Sequence, residues 1–216
     1  MITFWTPTWP NTRIGRPWDD GIRWFTRLVT PPTELPVSLE RVRDQWLRAA
    51  HTDVEDAQID QMIRAATAAA EDLTQRALMP QTWQMVLDGF PWGDIVLERP
   101  PLIAVTSVDW IDASGVVQAL TGSPQASYDV VPSGFYSKAR LKVLPGGSWP
   151  MPRSQPEAVT ITYQAGYTDA DHVLSTIVTG IELMVGELYK QRSVSVHEVH
   201  NTPAVLNLER FWKRVW

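Results

Sequence analysis

Closely spaced histidines and carboxylates are the first residues in this sequence that could do chemistry. His197 and His200 stand three residues apart in the run HEVH. A helical zinc site places its histidines four residues apart, as HExxH, and needs a third ligand that this stretch lacks. The chain also has no cysteine, which removes thiolate ligands, thiol nucleophiles and disulfides. We therefore predict no metal site and no cofactor.

A second cluster with acid–base potential consists of Asp169, Asp171 and His172. Carboxylates beside an imidazole could exchange protons with a substrate, which would make the protein a hydrolase whose activity is lost on alanine substitution. A turn followed by charges in the first turn of a helix explains the same three residues more simply. We therefore predict no catalytic residue in this cluster.

Glycine and serine motifs indicate no site either. Gly146 and Gly147 are followed by SWPMP rather than by a helix, so they cannot present helix amides to a phosphate. Neither a GxxxxGK phosphate loop nor a GxSxG nucleophile motif occurs. Together with the two clusters above, these motifs predict a protein that is not an enzyme.

The elements that must position these residues start with a helix predicted over residues 55–79. Its apolar residues recur at three- and four-residue steps, which places them on one face. They are Ile59, Met62, Ile63, Ala66, Ala69, Ala70, Leu73 and Ala77. Asp53, or the pair Glu55 and Asp56, stands where an N-cap or first-turn carboxylate is favourable, and Pro80 marks the end.

Two further helices are predicted on either side of a long central segment. The run SLERVRDQWLRAA, which begins at Ser38, has apolar residues at helical steps. A third helix has an apolar stripe from Val173 to Leu188 and ends near Arg192 with positive charge. We interpret residues 37–80 and 173–192 as one helical core.

From Gln81 onward the pattern changes from helical spacing to alternation, which is typical of strands. Seven short strands are predicted, at Thr82–Asp88, Ile95–Leu97, Val105–Ile111, Val116–Leu120, Tyr128–Val131, Arg140–Leu144 and Ala158–Tyr163. Turn residues between short strands indicate a small antiparallel sheet or sandwich. The predicted class is α+β, in which two N-terminal helices and a C-terminal helix form the core and residues 81–172 form an inserted β domain.

Residues 1–36 are unusually rich in tryptophan and proline. They contain Trp5, Trp9, Trp18 and Trp24, and also Pro7, Pro10, Pro17, Pro31, Pro32 and Pro36. Proline at this density opposes regular helix, and exposed tryptophan is costly unless something covers it. We interpret the segment as an arm along its own body or a neighbouring subunit, with a short helix predicted over residues 19–29. The eleven tryptophans of the chain leave a carbohydrate-binding β module as the alternative function.

Charge and hydropathy restrict the partners and the compartment. The formal charge is −5, which argues against a protein that coats nucleic acid. The sequence has no run of about 18 apolar residues that could span a bilayer, and its N-terminus lacks the pattern of a signal peptide. We therefore expect no membrane association and a location in a cytoplasm or in a particle assembled there.

Six stretches follow one another in an informative order. They are LPVSLERVRDQWLRAAHTDVEDAQIDQMIRAATAAAEDLTQRALMPQTWQMVLDGFP, ERPPLIAVTSVDWIDASGVVQAL, YDVV, LPGGSWP, VTITYQAGY and ELYKQR. In this order they resemble the head-tail connector (adaptor, or head completion) proteins of long-tailed phages and phage-like gene transfer agents. The resemblance covers residues 35–192 and rests on a series of short signatures. The arm before Leu35 is not part of it.

The resemblance implies a structural protein without enzymatic activity. Members of that family form a ring, typically of twelve subunits, below the portal, and they bind the portal protein and the next neck protein (a stopper or head completion protein). The ring extends the DNA channel, through which DNA passes without sequence-specific binding. The implied location is the neck of a virion or phage-like particle, at the head–tail junction, assembled in the bacterial cytoplasm.

The last segment, residues 193–216, is a possible portal-docking peg, because buried aromatics and arginines dominate interface energies. The hypothetical portal-interface residues are Leu208, Arg210, Phe211, Trp212, Lys213, Arg214 and Trp216. The alternative is that the tail folds back on its own core. The acidity of the middle of the chain is compatible with a channel wall along which DNA slides.

Overall fold

The computed structural model describes residues 21–47, 52–120, 128–132 and 137–190. Within these residues the elements, in chain order, are β1 (Trp24–Thr30), a π-helical segment (Arg41–Leu47), α1 (Asp53–Thr74), β2 (Gln81–Leu87), β3 (Ile95–Val96), β4 (Leu102–Ile111), β5 (Val117–Leu120), β6 (Tyr128–Val131), β7 (Arg140–Val143), β8 (Val159–Ala165), a 3-10 segment (Ala170–His172) and α2 (Ser175–Lys190). The mixture of helices with antiparallel sheets confirms the predicted α+β class.

Helix α1 begins and ends at residues that its sequence explains only in part. The N-cap is Thr52, whose hydroxyl accepts a hydrogen bond from the Glu55 amide, rather than Asp53 or the acidic pair. The helix ends at Gln75, which adopts a left-handed conformation (φ 53°), so the prediction extended it too far toward Pro80. Beyond the helix, the Ala77 amide donates to the Pro100 carbonyl instead of continuing the helical pattern.

The first predicted helix is present in a different form. Residues Arg41–Leu47 form a π-helical segment, so the expected pair of N-terminal α-helices is reduced to this segment and α1. Ser38 lies at its start, where its hydroxyl accepts a hydrogen bond from the Arg41 amide. The segment packs on α2 and α1 and thus belongs to the helical layer.

A five-stranded antiparallel sheet in the order β1-β2-β8-β4-β5 forms the larger part of the β structure. A smaller sheet in the order β3-β7-β6 lies beside it. In the larger sheet, Trp83 of β2 is opposite Tyr163 of β8, which is opposite Val105 of β4. Strands β4 and β5 form the predicted hairpin.

The expected helix over residues 19–29 is wrong in the part that the structure describes, because Trp24–Thr30 form strand β1. The aromatic and β-branched residues of this stretch favour a strand as well as a helix. The decisive contact is long-range: β1 pairs with β2 from Trp24 opposite Leu87 to Thr30 opposite Thr82. The last part of the Trp- and Pro-rich segment is therefore the edge strand of the larger sheet.

Two hydrophobic cores support the two layers. The helical core contains buried residues of α1, α2 and the chain before them: Val37, Val42, Ile59, Ile63, Ala66, Ala70, Leu78, Met79, Val173, Ile177, Val178, Ile181, Met184 and Val185. The sheet core contains buried residues of both sheets: Ala77, Met85, Leu87, Ile95, Leu97, Val108, Tyr128, Ala139, Leu141, Val159, Ile161, Tyr163 and Ala165. Chain neighbours Ala77 and Leu78 thus belong to different cores, so the layers meet just after α1.

Gly166 lies where β8 leaves the sheet and approaches that meeting point. Its φ is +129°, and its amide donates a 2.9 Å hydrogen bond to the Pro101 carbonyl. A Cβ at this position would lie 2.1 Å from the Met79 carbonyl oxygen. Glycine is therefore required here for close approach of two backbones as well as for conformation. In the described part of the chain, no helix has the length and apolar character needed to cross a membrane.

Candidate functional site

The predicted acid–base cluster is an exposed helix cap. Asp169 is the N-cap of the 3-10 segment, and its Oδ1 accepts from the His172 amide at 3.1 Å. The same oxygen lies 2.6 Å from Nδ1 of the His172 ring. This contact lowers the pKa of Asp169 and raises the pKa of His172. Both side chains are more than half exposed, so the pair has no enclosed space in which to position a substrate.

Other residues singled out from the sequence lie outside the described part of the chain. They are the HEVH histidines His197 and His200, and the hypothetical portal-interface residues Leu208, Arg210, Phe211, Trp212, Lys213, Arg214 and Trp216. The structure therefore does not test the portal-docking hypothesis. Among the residues that are described, no group of three or more histidines, aspartates and glutamates is placed to hold a metal ion.

An apolar groove of about 570 Å³ lies between two loops of the β structure. Two loops that are distant in sequence form it: the GFPWG turn after β2 and the GGSWPMP stretch after β7. We call it the aromatic groove. Its lining residues are Gly89, Phe90, Pro91, Trp92, Val143, Gly147, Ser148, Trp149, Pro150, Met151 and Pro152.

One wall of the aromatic groove is rigidly built. The rings of Phe90 and Trp149 stack nearly parallel, at 4°, with centroids 5.0 Å apart. The Trp149 indole nitrogen donates a 3.1 Å hydrogen bond to the Gly93 carbonyl, which ties the second loop to the first. Tyr128, which is buried in the sheet core, lies next to Trp149, with the two ring centroids 6.3 Å apart. The stack therefore extends the sheet core to the surface.

The opposite rim of the groove is open to solvent. Trp92 is 93% exposed and Met151 is 90% exposed, the two highest values among the exposed large hydrophobic residues that the structure describes. Large exposed apolar side chains beside a groove are typical of an interaction surface. The sequence analysis did not single out these residues. The repeated pairing of proline with tryptophan in two loops was the signal that could have found them.

A partly buried carboxylate joins the helical layer to the sheet layer. Glu71, near the end of α1, accepts hydrogen bonds from the Leu78 amide at 2.8 Å and from the Gln81 side chain at 2.7 Å. Burial raises the pKa of Glu71, although the two hydrogen bonds oppose the shift. Because Leu78 lies in the link after α1 and Gln81 begins β2, this single side chain fixes the turn between the layers.

Arg99 strengthens the same junction from the other side. Its guanidinium donates to the Glu71 carbonyl and to the Asp72 carboxylate, each at 3.0 Å. It also lies over the Trp83 ring, 5.2 Å from the centroid, in a cation–π contact. Helix α1 and strand β2 are thus held by one cation. These contacts fix the orientation of the two layers relative to each other.

The helical layer also carries a buried charge on α2. Glu182 of α2 is 1% exposed, and its Oε1 lies 2.5 Å from Nε of Arg41. The contact is a close approach of opposite charges rather than a well-oriented hydrogen bond. Arg41 also lines a smaller depression of about 350 Å³ between residues 36–41 and the start of α2. The lining of this depression is about half polar, whereas that of the aromatic groove is mainly apolar.

The features above define a class of protein. The described residues form a two-layer α+β protein whose layers are joined through Glu71 and Arg99 and whose aromatic groove is exposed to solvent, as is typical of an interaction surface. In the described part of the chain, no enclosed cluster of titratable residues resembles an active site.

Comparison with known proteins agrees with this class. No protein-family model matches the chain, and no curated protein matches it. Solved structures do match. A chain in the virion of a native gene transfer agent particle is 25% identical, with a TM-score of 0.68, and the match covers 87% of this chain and 94% of that one. Chains in two neck structures, from an empty particle computed with C6 symmetry and a native particle computed with C12 symmetry, are 24% identical over the same shares, with TM-scores of 0.70 and 0.66.

These neighbours confirm the resemblance that the sequence predicted. The fold of this chain is similar to that of chains in gene transfer agent particles and their necks, as expected for a head-tail connector-type protein. The match extends over most of the chain rather than over one motif.

Proposed function

We propose that the protein is a structural head-tail connector (adaptor) subunit that forms a ring below the portal and joins the capsid to the neck and tail. The observation that carries the proposal is the match over 87% of the chain to a protein of a gene transfer agent virion. The location that follows is the neck of a phage-like particle, because two of the matched structures are particle necks. The role is structural rather than enzymatic.

A ring of twelve copies is the assembly that we propose. One matched neck was computed with C12 symmetry and another with C6 symmetry, and twelve copies satisfy both operators. A closed ring of identical subunits requires two different side faces that complement each other. The rigid junction at Glu71 and Arg99 suits this requirement, since a fixed angle between layers gives every subunit the same pair of faces.

The two layers are proposed as the working units of the connector. The helical core of residues 37–80 and 173–192 and the inserted β domain of residues 81–172 have separate hydrophobic cores, which supports this division. The sheet also includes β1, which belongs to the Trp- and Pro-rich segment 1–36. The β unit therefore contains a strand from outside residues 81–172. The tail, residues 193–216, is proposed as the portal-docking peg.

The partners that we propose are the portal protein, the next neck protein and further copies of this chain. DNA is proposed to pass through the channel without sequence-specific contact. The net charge of −5 supports this, because an acidic wall repels phosphate and lets DNA slide.

Light scattering on the purified protein, alone and mixed with the portal of its own particle, tests the connector function. We expect a complex that contains about twelve copies per portal, whether the free protein is a monomer or a ring. A weak side contact becomes effective when a scaffold aligns the copies, so a free monomer would agree with the proposal. A protein that stays monomeric and does not bind portal would overturn it.

Deletion of residues 206–216 tests the docking hypothesis separately from the ring. If the tail is the peg, the shortened protein keeps its fold but loses portal binding. Unchanged binding would overturn the assignment of Leu208, Arg210, Phe211, Trp212, Lys213, Arg214 and Trp216 to the portal interface. A matched control replaces Arg210, Lys213 and Arg214 by glutamine, which separates loss of charge from loss of the aromatic residues.

The carbohydrate-binding alternative makes a different prediction. A binding module would be a monomer whose tryptophan fluorescence shifts with glycans, whereas a connector would ignore sugars. Among the described tryptophans, Trp149 stacks on Phe90 and Trp83 lies beneath Arg99, so each of these two rings already has a partner on one face. The alternative therefore gains no support from these two positions.

A further inference from the structure

The twenty residues that precede the described chain enter it beside the aromatic groove. The Arg23 carbonyl accepts a 3.0 Å hydrogen bond from the Asp88 amide, and Asp88 immediately precedes Gly89, the first residue of the groove lining. Ile22 packs against the sheet core together with Phe90 and Trp149. The N-terminal segment is therefore tethered at the mouth of the groove.

Gly21 allows the chain to turn at this point. Its φ is +80°, a conformation that residues with a side chain rarely adopt, and it lies in a turn three residues before the start of β1. A turn here can direct the preceding residues along the loops that form the groove instead of continuing the line of β1. Only three residues lie between Pro17 and Gly21, and only two lie between Trp18 and Gly21.

The composition of residues 1–20 matches the chemistry of the groove. They contain three tryptophans (Trp5, Trp9, Trp18) and three prolines (Pro7, Pro10, Pro17). Proline-rich segments adopt extended polyproline II structure, which docks into grooves lined by aromatic residues at small entropic cost. At about 3.1 Å per residue, such a segment is long enough to cross the groove more than once.

The groove has the lining that such a ligand requires. The stacked Phe90 and Trp149 supply a rigid aromatic wall, while Trp92 and Met151 supply exposed apolar area on the rim. Prolines 91, 150 and 152 add further apolar surface. A ligand that covers the rim would remove from water the two most exposed large hydrophobic side chains that the structure describes.

We propose that the Trp- and Pro-rich N-terminal segment, residues 1–20, docks into the aromatic groove of its own chain, where Trp92 and Met151 cover its tryptophans and prolines. Docking within one chain is favoured over docking to a neighbour because the tether at Arg23 gives the segment a high effective concentration at the groove. The segment thereby becomes a built-in ligand that shields an apolar surface of the free subunit.

Photocrosslinking tests the contact directly. The full chain is prepared with a benzophenone amino acid in place of Met151, and the crosslinked peptides are mapped by mass spectrometry. We expect crosslinks to peptides within residues 1–20. A matched control carries the same group in place of Val117, which is 65% exposed on β5 and outside the groove, and should not crosslink to that segment. Crosslinks from position 151 only to other parts of the chain, or none at all, would overturn the proposal.

Isotope mixing separates docking in one chain from exchange between copies. Labelled and unlabelled chains are mixed before irradiation, and the masses of the crosslinked pairs are read. Pairs of a single isotope composition support docking within one chain. Mixed pairs at the statistical ratio would overturn it and would assign the groove to the N-terminal segment of a neighbouring copy.

Limited proteolysis gives a second measurement that does not depend on the crosslinker. Trypsin can cleave after Arg13 but not after Arg16, because Pro17 follows. We expect Trp92→Ala to speed cleavage after Arg13 by about fivefold, because loss of an aromatic anchor releases the segment. The matched control Val117→Ala should leave the rate unchanged. Equal rates in Trp92→Ala and wild-type protein would overturn the proposal.

Discussion

The helical layer and the sheet layer differ in how many large hydrophobic side chains they expose to solvent. Among the described residues, the exposed large hydrophobics are Leu28, Val29, Trp92, Ile103, Val116, Val117, Val131, Met151 and Leu183. All but Leu183 belong to strands or to loops between strands. The helical layer buries nearly all of its apolar surface within itself, whereas the sheet layer leaves apolar edges and a groove in contact with solvent.

This difference indicates that the two layers have different roles. The helical layer supplies a hydrophobic core that the residues of one chain bury by themselves. The sheet layer, with its open edges and aromatic groove, has apolar area whose burial requires further chain or a partner. The junction at Glu71 and Gly166 connects the two, so damage there should affect both layers at once.

Gly166→Ala should have the largest effect on stability, because it disturbs the point where the helical layer and the sheet layer meet. The new methyl group would overlap the Met79 carbonyl oxygen, and neither backbone can move without shifting a core. We expect a loss of more than about 3 kcal/mol in the free energy of unfolding. Chemical denaturation followed by circular dichroism measures it.

Gly186→Ala is the matched control for that substitution. Gly186 lies within α2, and an added Cβ meets nothing within 4 Å. Because alanine favours helix over glycine, we expect a gain of about 0.5–1 kcal/mol. A loss at position 186 as large as that at position 166 would show that the junction is not special.

Glu71→Ala should have the next largest effect. It leaves the Leu78 amide and the Gln81 side chain without the acceptor that now binds them. We expect a loss of about 2 kcal/mol, measured by denaturation at neutral pH. The control Asp72→Ala removes a side chain that is 75% exposed and should cost no more than about 1 kcal/mol. Equal losses would contradict the central role of Glu71.

Glu71 also predicts a pH dependence. Its folded pKa is raised by burial above the usual 4.5, so the folded protein retains the proton to a higher pH than the unfolded chain does. The stability that this proton contributes is fully present below the unfolded pKa and is lost as the pH rises through the folded pKa. Glu71→Gln should remove this decline, and a slope that is unchanged in the variant would contradict the assignment.

Two tryptophans of the aromatic groove should respond differently to truncation. Trp149→Ala removes the partner of Phe90 and the hydrogen bond to the Gly93 carbonyl, and we expect a loss of about 2–3 kcal/mol in the free energy of unfolding. Trp92→Ala removes a side chain that is 93% exposed and should cost about 1 kcal/mol or less. The reverse order would show that the rim, rather than the wall, supports the loops.

The smallest effect is expected at Asp169 and His172, whose side chains are exposed. The carboxylate raises the pKa of His172 above its usual 6.5, and Asp169→Asn should return it toward that value. Stability from the raised pKa of His172 is present below pH 6.5 and is lost as the pH rises through the folded pKa, whereas that from the lowered pKa of Asp169 is lost on acidification. NMR titration of the imidazole measures the change.

Much of the fold could be predicted from local patterns. The stripe of apolar residues in α1 and the stripe in α2 locate the helices, and seven of the eight described strands follow from alternation between turn residues. The long helix was extended past Gln75 because no local signal marks a left-handed glutamine as its end. The spacing of apolar residues in Trp24–Thr30 fits a helix as well as a strand, so the sequence predicted a helix there. Only the pairing with β2 decides in favour of a strand.

The aromatic groove could not be predicted in the same way. Its two loops are separated by more than fifty residues, and each alone is consistent with an ordinary turn. The sequence alone determined the α+β class, the positions of most elements and the resemblance to connectors, because periodicity and turn residues act over a few neighbours. Only the tertiary structure decided which loops meet, where the layers join and which tryptophans face solvent, because those depend on contacts between residues far apart in the chain.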